Sequence, residues 1–223
     1  MSAGRRLMFV VNNPAFFMSH RVPVALAAQR AGYDVHVATM DGPAVADIQA
    51  LGMTHHAIPM TRSGKHPLQE LGTLLALVRL FRRVRPDVVH LVTIKPVLYG
   101  GIAARLARVR GMVAAISGLG FVFLSNSLKM RLVRSVVARL YRIALGHPNS
   151  RVIFQNANDR DLLKSLGAVR DAQVVMIRGA GVDLDAYRAL PEPPAPPVVV
   201  TMVARLLRDK GVQEFVQLSL IHI

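Results

Sequence analysis

Seven short apolar runs recur along the chain up to Ile177, each followed by a turn and a stretch of helical periodicity. They are Leu7–Val11, Val35–Thr39, His56–Met60, Val88–Val92, Met112–Ile116, Val152–Gln155 and Val174–Ile177. Most are continuously apolar rather than alternating, so both faces need cover. That demand predicts a parallel sheet with helices on either side. The intervening helices are expected over Ser19–Arg30, Ala44–Leu51, Leu68–Val84, Pro96–Arg108, Leu128–Leu145 and Asp159–Leu166. Gly32, Gly52 and Gly167 read as stops, and the helix before Pro86 must end ahead of it. Strand and helix in alternation, joined by right-handed crossovers, predict an α/β fold with a doubly wound parallel sheet.

The rhythm changes at Pro191–Pro197, a proline-rich stretch that reads as a semi-rigid linker. Residues 1–190 are therefore expected to form a first domain, 191–197 a linker, and 198–223 the start of a second domain. In that second part Val198–Val203 reads as a strand and Gly211–Leu218 as a helix. The closing Ser219–Ile223 reads as a truncated or non-native end, because it stops mid-helix in apolar residues.

Composition narrows the class. The 223 residues carry a net charge of +15, yet 52% are hydrophobic and only 18% charged, which excludes a disordered polybasic tail. With no cysteine, a disulfide framework, thiolate zinc sites and cysteine nucleophiles are excluded. The best apolar run, Met112–Leu124, has about 13 residues against the roughly 18 that a spanning helix needs. Asn12, Asn13 and Pro14 end the first apolar run too early for a signal-peptide core. The excess positive charge suggests an anionic partner.

Ligands of such sheets bind beyond the carboxyl ends of the strands, so the residues there are the candidates. After the first strand come Asn13, Ser19, His20 and Arg21. Asn13 is read as opening a turn and Ser19 as capping a helix whose amide end favours anions. After the fourth strand, Lys95 stands next to a helix amino end, where charge and amides together suit a phosphate. His90 lies inside that strand, and a core histidine and a catalytic one are both open readings. Ser117 and Gly118 follow the fifth strand. Gln155, Asn156, Asn158 and Asp159 follow the sixth, with Asn158 or Asp159 as the expected helix cap. Past the linker, Arg205, Asp209, Lys210 and Gly211 suit a diphosphate, Arg by its fork and Lys as a point charge. There is no GxGxxG, P-loop, GxSxG elbow or metal-ligand spacing.

Leu128–Leu145 is polarised. Leu132, Val133, Val136, Val137, Leu140 and Ile143 share one arc, which is expected to dock on the sheet. Arg131, Arg134 and Arg142 lie opposite, with Arg139 at the margin, and could meet anionic headgroups. Nucleic acid is not expected as the anion, because no recognition module or stacking platform is present.

Several of these segments together carry a resemblance. They are NNPAFFMSHRVPVALAAQRAGYDVHVAT, RPDVVHLVTIKPVLYGGIAARLARV, SGLGFVF, VIFQNANDRDLL, IRGAGVDLDAY and ARLLRDKGV. In order along nearly the whole chain, they resemble glycosyltransferase family 4, with the GT-B fold of two Rossmann-like domains. The variant with SHR and IKPVLYG is similar to bacterial enzymes acting on polyprenyl-diphosphate-linked glycans. The resemblance implies retaining transfer of a sugar from a nucleotide-sugar donor, as a rule a UDP-sugar, to a lipid-linked or polysaccharide acceptor. It implies no cofactor beyond that donor. Arg205 and Lys210 would hold the donor diphosphate. Asn13, His20, Arg21, Lys95, Ser117, Gly118 and Asn156 would line the acceptor side of the cleft. A cytoplasmic protein, peripheral on the inner face of the membrane, is expected, and the 223-residue piece alone is expected to be inactive. Two features depart from the family pattern. Asn12-Asn13-Pro14-Ala15 replaces a glycine-rich first loop, and Val92 stands where many members have a second histidine. Other readings are a nucleotide-sugar 2-epimerase of the same fold, or a non-catalytic basic protein binding membrane or nucleic acid.

Overall fold

A computed structural model describes residues 4–60, 67–119, 128–192, 194, 196, 199–204 and 206–221. By packing, the chain divides into two units, Met1–Gly181 and Val182–Ile223.

The first unit is a seven-stranded sheet in the order β3-β2-β1-β4-β5-β6-β7, every neighbouring pair parallel. The strands are β1 (Arg6–Val11), β2 (Asp34–Thr39), β3 (Thr54–Ala57), β4 (Val88–Val92), β5 (Gly111–Ile116), β6 (Ser150–Phe154) and β7 (Val174–Met176). The helices are α1 (Pro14–His20), α2 (Val22–Arg30), α3 (Val45–Ala50), α4 (Pro67–Val84), α5 (Gly101–Leu106), α6 (Leu128–Leu145) and α7 (Ala157–Ser165).

Side chains alternate across each strand, and the core splits accordingly. Met8 and Val10 of β1 join Val89 and Leu91 of β4 in one cluster, under Leu77, Phe81, Ala103, Tyr141, Leu145 and Leu163 of α4 to α7. Phe9 and Val11 point the other way and pack with Val35, Val37, Phe17, Ala25 and Ile48, under α1 to α3. The expected two-faced cover is thus observed. Strand order reverses between β1 and β4, the switch point at which doubly wound sheets open a crevice.

Four local expectations are corrected. The single helix over Ser19–Arg30 is two helices broken at Arg21. Pro23 explains the break, since it has no N–H for the Ser19 carbonyl and its ring crowds that oxygen. The third strand runs over Thr54–Ala57 rather than His56–Met60, because its register on β2 starts at Thr54 opposite His36. The helix after β4 opens with a π-turn, Pro96–Gly100, before α5. Gly101 there meets α6 so closely that a Cβ would stand 2.7 Å from the Ala144 carbonyl oxygen. Fourth, α6 buries the expected arc only in part: Val137 and Leu140 pack against the core, and the side chains of Leu132 and Val133 lie outside what is described. Ala138, Tyr141, Ala144 and Leu145 are buried, whereas Val136 and Ile143 are 52% and 45% exposed. Small alanines are what allow α6 and Gly101 to approach.

In the second unit, α8 (Val212–Ile221) follows a 3-10 turn at Arg208–Lys210. Residues 199–203 of the expected strand Val198–Val203 form no strand. A strand is defined by its ladder, and no partner strand lies beside it among the described residues.

Candidate functional site

The site is built at the carboxyl edge of β1, β4, β5 and β6. The chain leaving β1 turns at Asn13, whose Oδ1 accepts from the backbone N–H of Ala15 at 2.8 Å and of Phe16 at 3.3 Å. Asn13 is therefore the cap of α1. Ser19, expected to cap a helix, lies in the last turn of α1 and donates to the carbonyl of Ala15 or Phe16. Its hydroxyl also stands 2.6 Å from His20 Nδ1. The exposed His20 ring is stacked on Phe16, centroids 4.2 Å apart.

Arg21 occupies the break between α1 and α2 and turns inward. It is only 9% exposed, and its Nε has no hydrogen-bond partner among the described residues. Burial lowers its pKa. His90 comes from the middle of β4, on the same face as Phe9, and its ring lies against the Phe9 ring at 5.1 Å. It is 8% exposed, with Nε2 equally unpartnered. Burial, and after it the charge of Arg21, push the His90 pKa down to about 4, so the ring is neutral at pH 7.

Arg21, His90 and His20 line one cavity of about 250 Å³, with Ile116, Ile153, Gln155 and the Gly179–Ala180 backbone around them. A larger concavity of about 480 Å³, with Arg82, Arg85, Arg108, Arg110 and Asp87 on its walls, lies at the opposite, amino edge of the sheet. The smaller cavity is the candidate, because ligands of doubly wound sheets sit at the carboxyl edge.

Beyond β4 the backbone is strained. Thr93, a β-branched residue, has φ +75° and a buried hydroxyl with no hydrogen-bond partner among the described residues. Two residues on, Lys95 Nζ lies 2.6 Å from Glu70 Oε1 of α4. The Tyr99 hydroxyl also hydrogen-bonds Glu70, and burial, then that bond and charge, raise its pKa. Sequence reading placed Lys95 at the ligand edge but gave no sign of Glu70.

The other candidates sort as follows. Ser117 is exposed after β5, and Gly118 follows it at φ +126°, a conformation that favours glycine although there is room for a side chain. Asn156, not Asn158 or Asp159, caps α7. Its Oδ1 accepts from the Asp159 N–H and its amide donates to Asp159 Oδ2, both at 2.8 Å. Arg142 Nε donates to the Leu166 carbonyl at 2.5 Å, tying α6 to the end of α7. Arg131 and Arg134 belong to α6, and their side chains are outside what is described. Arg205 lies outside the described residues, and Lys210 is exposed in the second unit. Sequence candidates His20 and Arg21 are thus brought together with His90. The helix-breaking Pro23 and the alternation that puts His90 and Phe9 on one face are signals that sequence reading left unused.

Comparison with known proteins places this architecture. Over 224 aligned residues, 94% of the chain is 23% identical to a curated relative from Campylobacter jejuni, N,N'-diacetylbacillosaminyl-diphospho-undecaprenol alpha-1,3-N-acetylgalactosaminyltransferase. A glycosyltransferase structure from Rickettsia africae superposes with a TM-score of 0.59 at 15% identity, over 83% of this chain and 45% of that one. A UDP-GlcNAc 2-epimerase from Neisseria meningitidis, bound to UDP-GlcNAc, superposes at 0.53 and 12% identity, over 77% and 46%. The chain covers 58% of the Campylobacter relative, so it spans about half the length of the proteins it matches. The structural likenesses establish the fold of one Rossmann-like domain of the GT-B type. The sequence profile described as "Glycosyl transferase 4-like" matches residues 6–156, most of the sheet and its helices, and the chain belongs to that family.

Proposed function

We propose that the full-length protein is a retaining glycosyltransferase. It moves a sugar from a nucleotide-sugar donor, a UDP-sugar, onto a polyprenyl-diphosphate-linked or polysaccharide acceptor. The observation that carries this reading is the cavity at the carboxyl edge, where a buried cation and a neutral imidazole face a mostly apolar space. Such a space excludes water while offering a few directed polar groups. The relative's name supports the acceptor class, a diphospho-undecaprenol glycan.

In this reading the first unit holds the acceptor. Arg21 and His20 line the pocket, with Lys95, Ser117 and Gly118 on the adjoining edge. Asn13 and Asn156 act by capping α1 and α7, which fixes the loops around the cleft. Arg205 and Lys210 hold the donor diphosphate and stabilise the leaving group's developing charge. Sugar transfer from UDP-sugars to a polyprenyl-diphospho-sugar by the full-length protein tests it. Arg205→Ala and Lys210→Ala should each lower kcat/KM for the donor sharply, and unchanged kinetics would remove both from the site. The epimerase likeness is one of fold alone, at 12% identity.

The reading extends to an anionic membrane surface on the cytoplasmic side. No helix among the described residues is long and apolar enough to cross a membrane. The exposed Val136 and Ile143 of α6, with Arg139 on the same side, form an apolar stripe edged by positive charge. Such a stripe inserts shallowly among anionic headgroups.

A further inference from the structure

Two buried side chains, each with a nitrogen that has no hydrogen-bond partner among the described residues, line the same cavity, and the helix that begins beside them has no side-chain cap. Burying a guanidinium with no counter-charge is costly, and so is leaving an imidazole nitrogen unpaired. Arg21 Nε and His90 Nε2 both stand in that condition, each on a residue more than nine-tenths buried. The amino end of α2, which starts at Val22 directly after Arg21, receives no side-chain cap. Its first residues Pro23 and Val24 line the same cavity. A helix amino end carries partial positive charge. Cation, imidazole and helix end therefore converge on one space, and among the described residues no Asp or Glu lines it.

We infer that Arg21, His90 and the amino end of α2 form a buried oxyanion site that takes one phosphate group of a diphosphate ester. Arg21 Nε–H donates to one oxygen, and the His90 Nε2 tautomer that carries a proton donates to a second. The α2 dipole offsets the remaining charge. A phosphate suits this better than a carboxylate because its oxygens are tetrahedrally disposed, and the donors approach from two separate elements. The apolar wall of Ile116 and Ile153 receives the part of the ester beyond the phosphate. The inference rests on the transferase reading only for the source of that ester, which is either the lipid diphosphate or the nucleotide diphosphate.

The test follows the His90 imidazole and Arg21 Nε–H resonances by ¹H–¹⁵N NMR while the 223-residue chain is titrated. The probes are sodium diphosphate, UDP, geranyl diphosphate and, as the contrast, acetate. Both resonances should move saturably with sodium diphosphate and not with acetate. Arg21→Met should weaken binding at least tenfold, read on His90, while leaving the unliganded Tm unchanged or higher, because a buried charge is gone. Arg21→Lys keeps the charge without the planar fork and should bind several-fold more weakly, which keeps the test open if Arg21→Met does not fold. Tighter binding of geranyl diphosphate assigns the lipid as source and tighter binding of UDP assigns the nucleotide; either supports the site. No saturable shift, equal response to acetate, or undiminished binding in the Arg21 variants overturns it. Sugar transfer is assayed separately on the full-length protein. Transfer without diphosphate at His90 removes the oxyanion site alone. Diphosphate binding without transfer leaves the site and removes the transferase reading.

Discussion

Glu70 and Lys95, 25 residues apart in sequence, close to 2.6 Å and leave only about a fifth of either side chain exposed, 18% and 21%. The Tyr99 hydroxyl shares the same carboxylate. The pair joins the first turn of α4 to the start of the helix after β4. Glu70→Ala is expected to destabilise the fold by about 1–3 kcal/mol, because a largely buried ammonium loses its counter-charge. A double-mutant cycle of Glu70→Gln and Lys95→Met in urea should give a coupling of about 1–2 kcal/mol. A coupling near zero would mean that the pair is only geometric.

Acid should weaken the protein over a defined window. His90 and His56 both have pKa values pushed down to about 4, in each case first by burial. Arg21 adds to the effect on His90, and His36, Arg83 and His55 add to it on His56, while Asp34 opposes. Between about pH 6.5 and pH 4 the unfolded chain binds these protons and the folded one does not. Stability therefore rises with pH across that window and falls as pH drops through it. For the buried His90 the full effect is of order 3 kcal/mol. Urea midpoints at pH 7, 5.5 and 4.5 measure it, and His90→Gln should flatten the profile.

Gly101 is fixed by contact rather than by conformation. A Cβ there would meet the Ala144 carbonyl oxygen at 2.7 Å and the Ala144 Cβ at 2.9 Å. Backbone cannot yield as a flexible side chain does. Gly101→Ala is expected to cost about 1–3 kcal/mol by forcing α5 from α6, despite alanine's higher helix propensity. Thermal unfolding measures the loss, and a raised Tm would refute the contact.

Val136 and Ile143 provide the membrane test. Both are exposed on α6, so Val136→Asp with Ile143→Asp should change folding stability by no more than about 0.5 kcal/mol per site. Co-sedimentation with vesicles containing phosphatidylglycerol should drop several-fold. Equal co-sedimentation of variant and parent would exclude this stripe as the contact.

The sheet was legible because burial on both faces writes itself as continuous apolar runs. Val88–Val92 and Leu128–Leu145 stand where periodicity placed them. Ends set by a neighbour were not legible. The register of Thr54 on His36 decides where β3 begins, and no local signal in Thr54–Met60 carries it. Part of the α6 face was misplaced for a related reason, although Val137 and Leu140 do pack on the core. Periodicity weighs Val136 and Ile143 above Ala138 and Ala144, but close approach to Gly101 rewards the small residues. In the site, His20 and Arg21 could be named from their place after β1. Their convergence with His90 depends on which strand lies beside β1, and the crossover to β4 sets that. Glu70 had no signature at all, since an acid in a helix's first turn is ordinary.

The π-turn at Pro96–Gly100 has a consequence for how this chain can vary. A π-turn holds one residue more than the α-turn it replaces, so it shifts the phase of everything after it by about 100°. Lys95 stands before the turn and answers to Glu70; Gly101 stands after it and answers to Ala144. Ironing the turn into plain α-helix without removing a residue would keep one of these partnerships and rotate the other out of reach, whereas deleting one residue as the turn becomes α-helical would keep both. The surplus residue acts as a phase adjuster between a charged anchor and a packing seam. A one-residue deletion within the turn should therefore be tolerated better than an insertion.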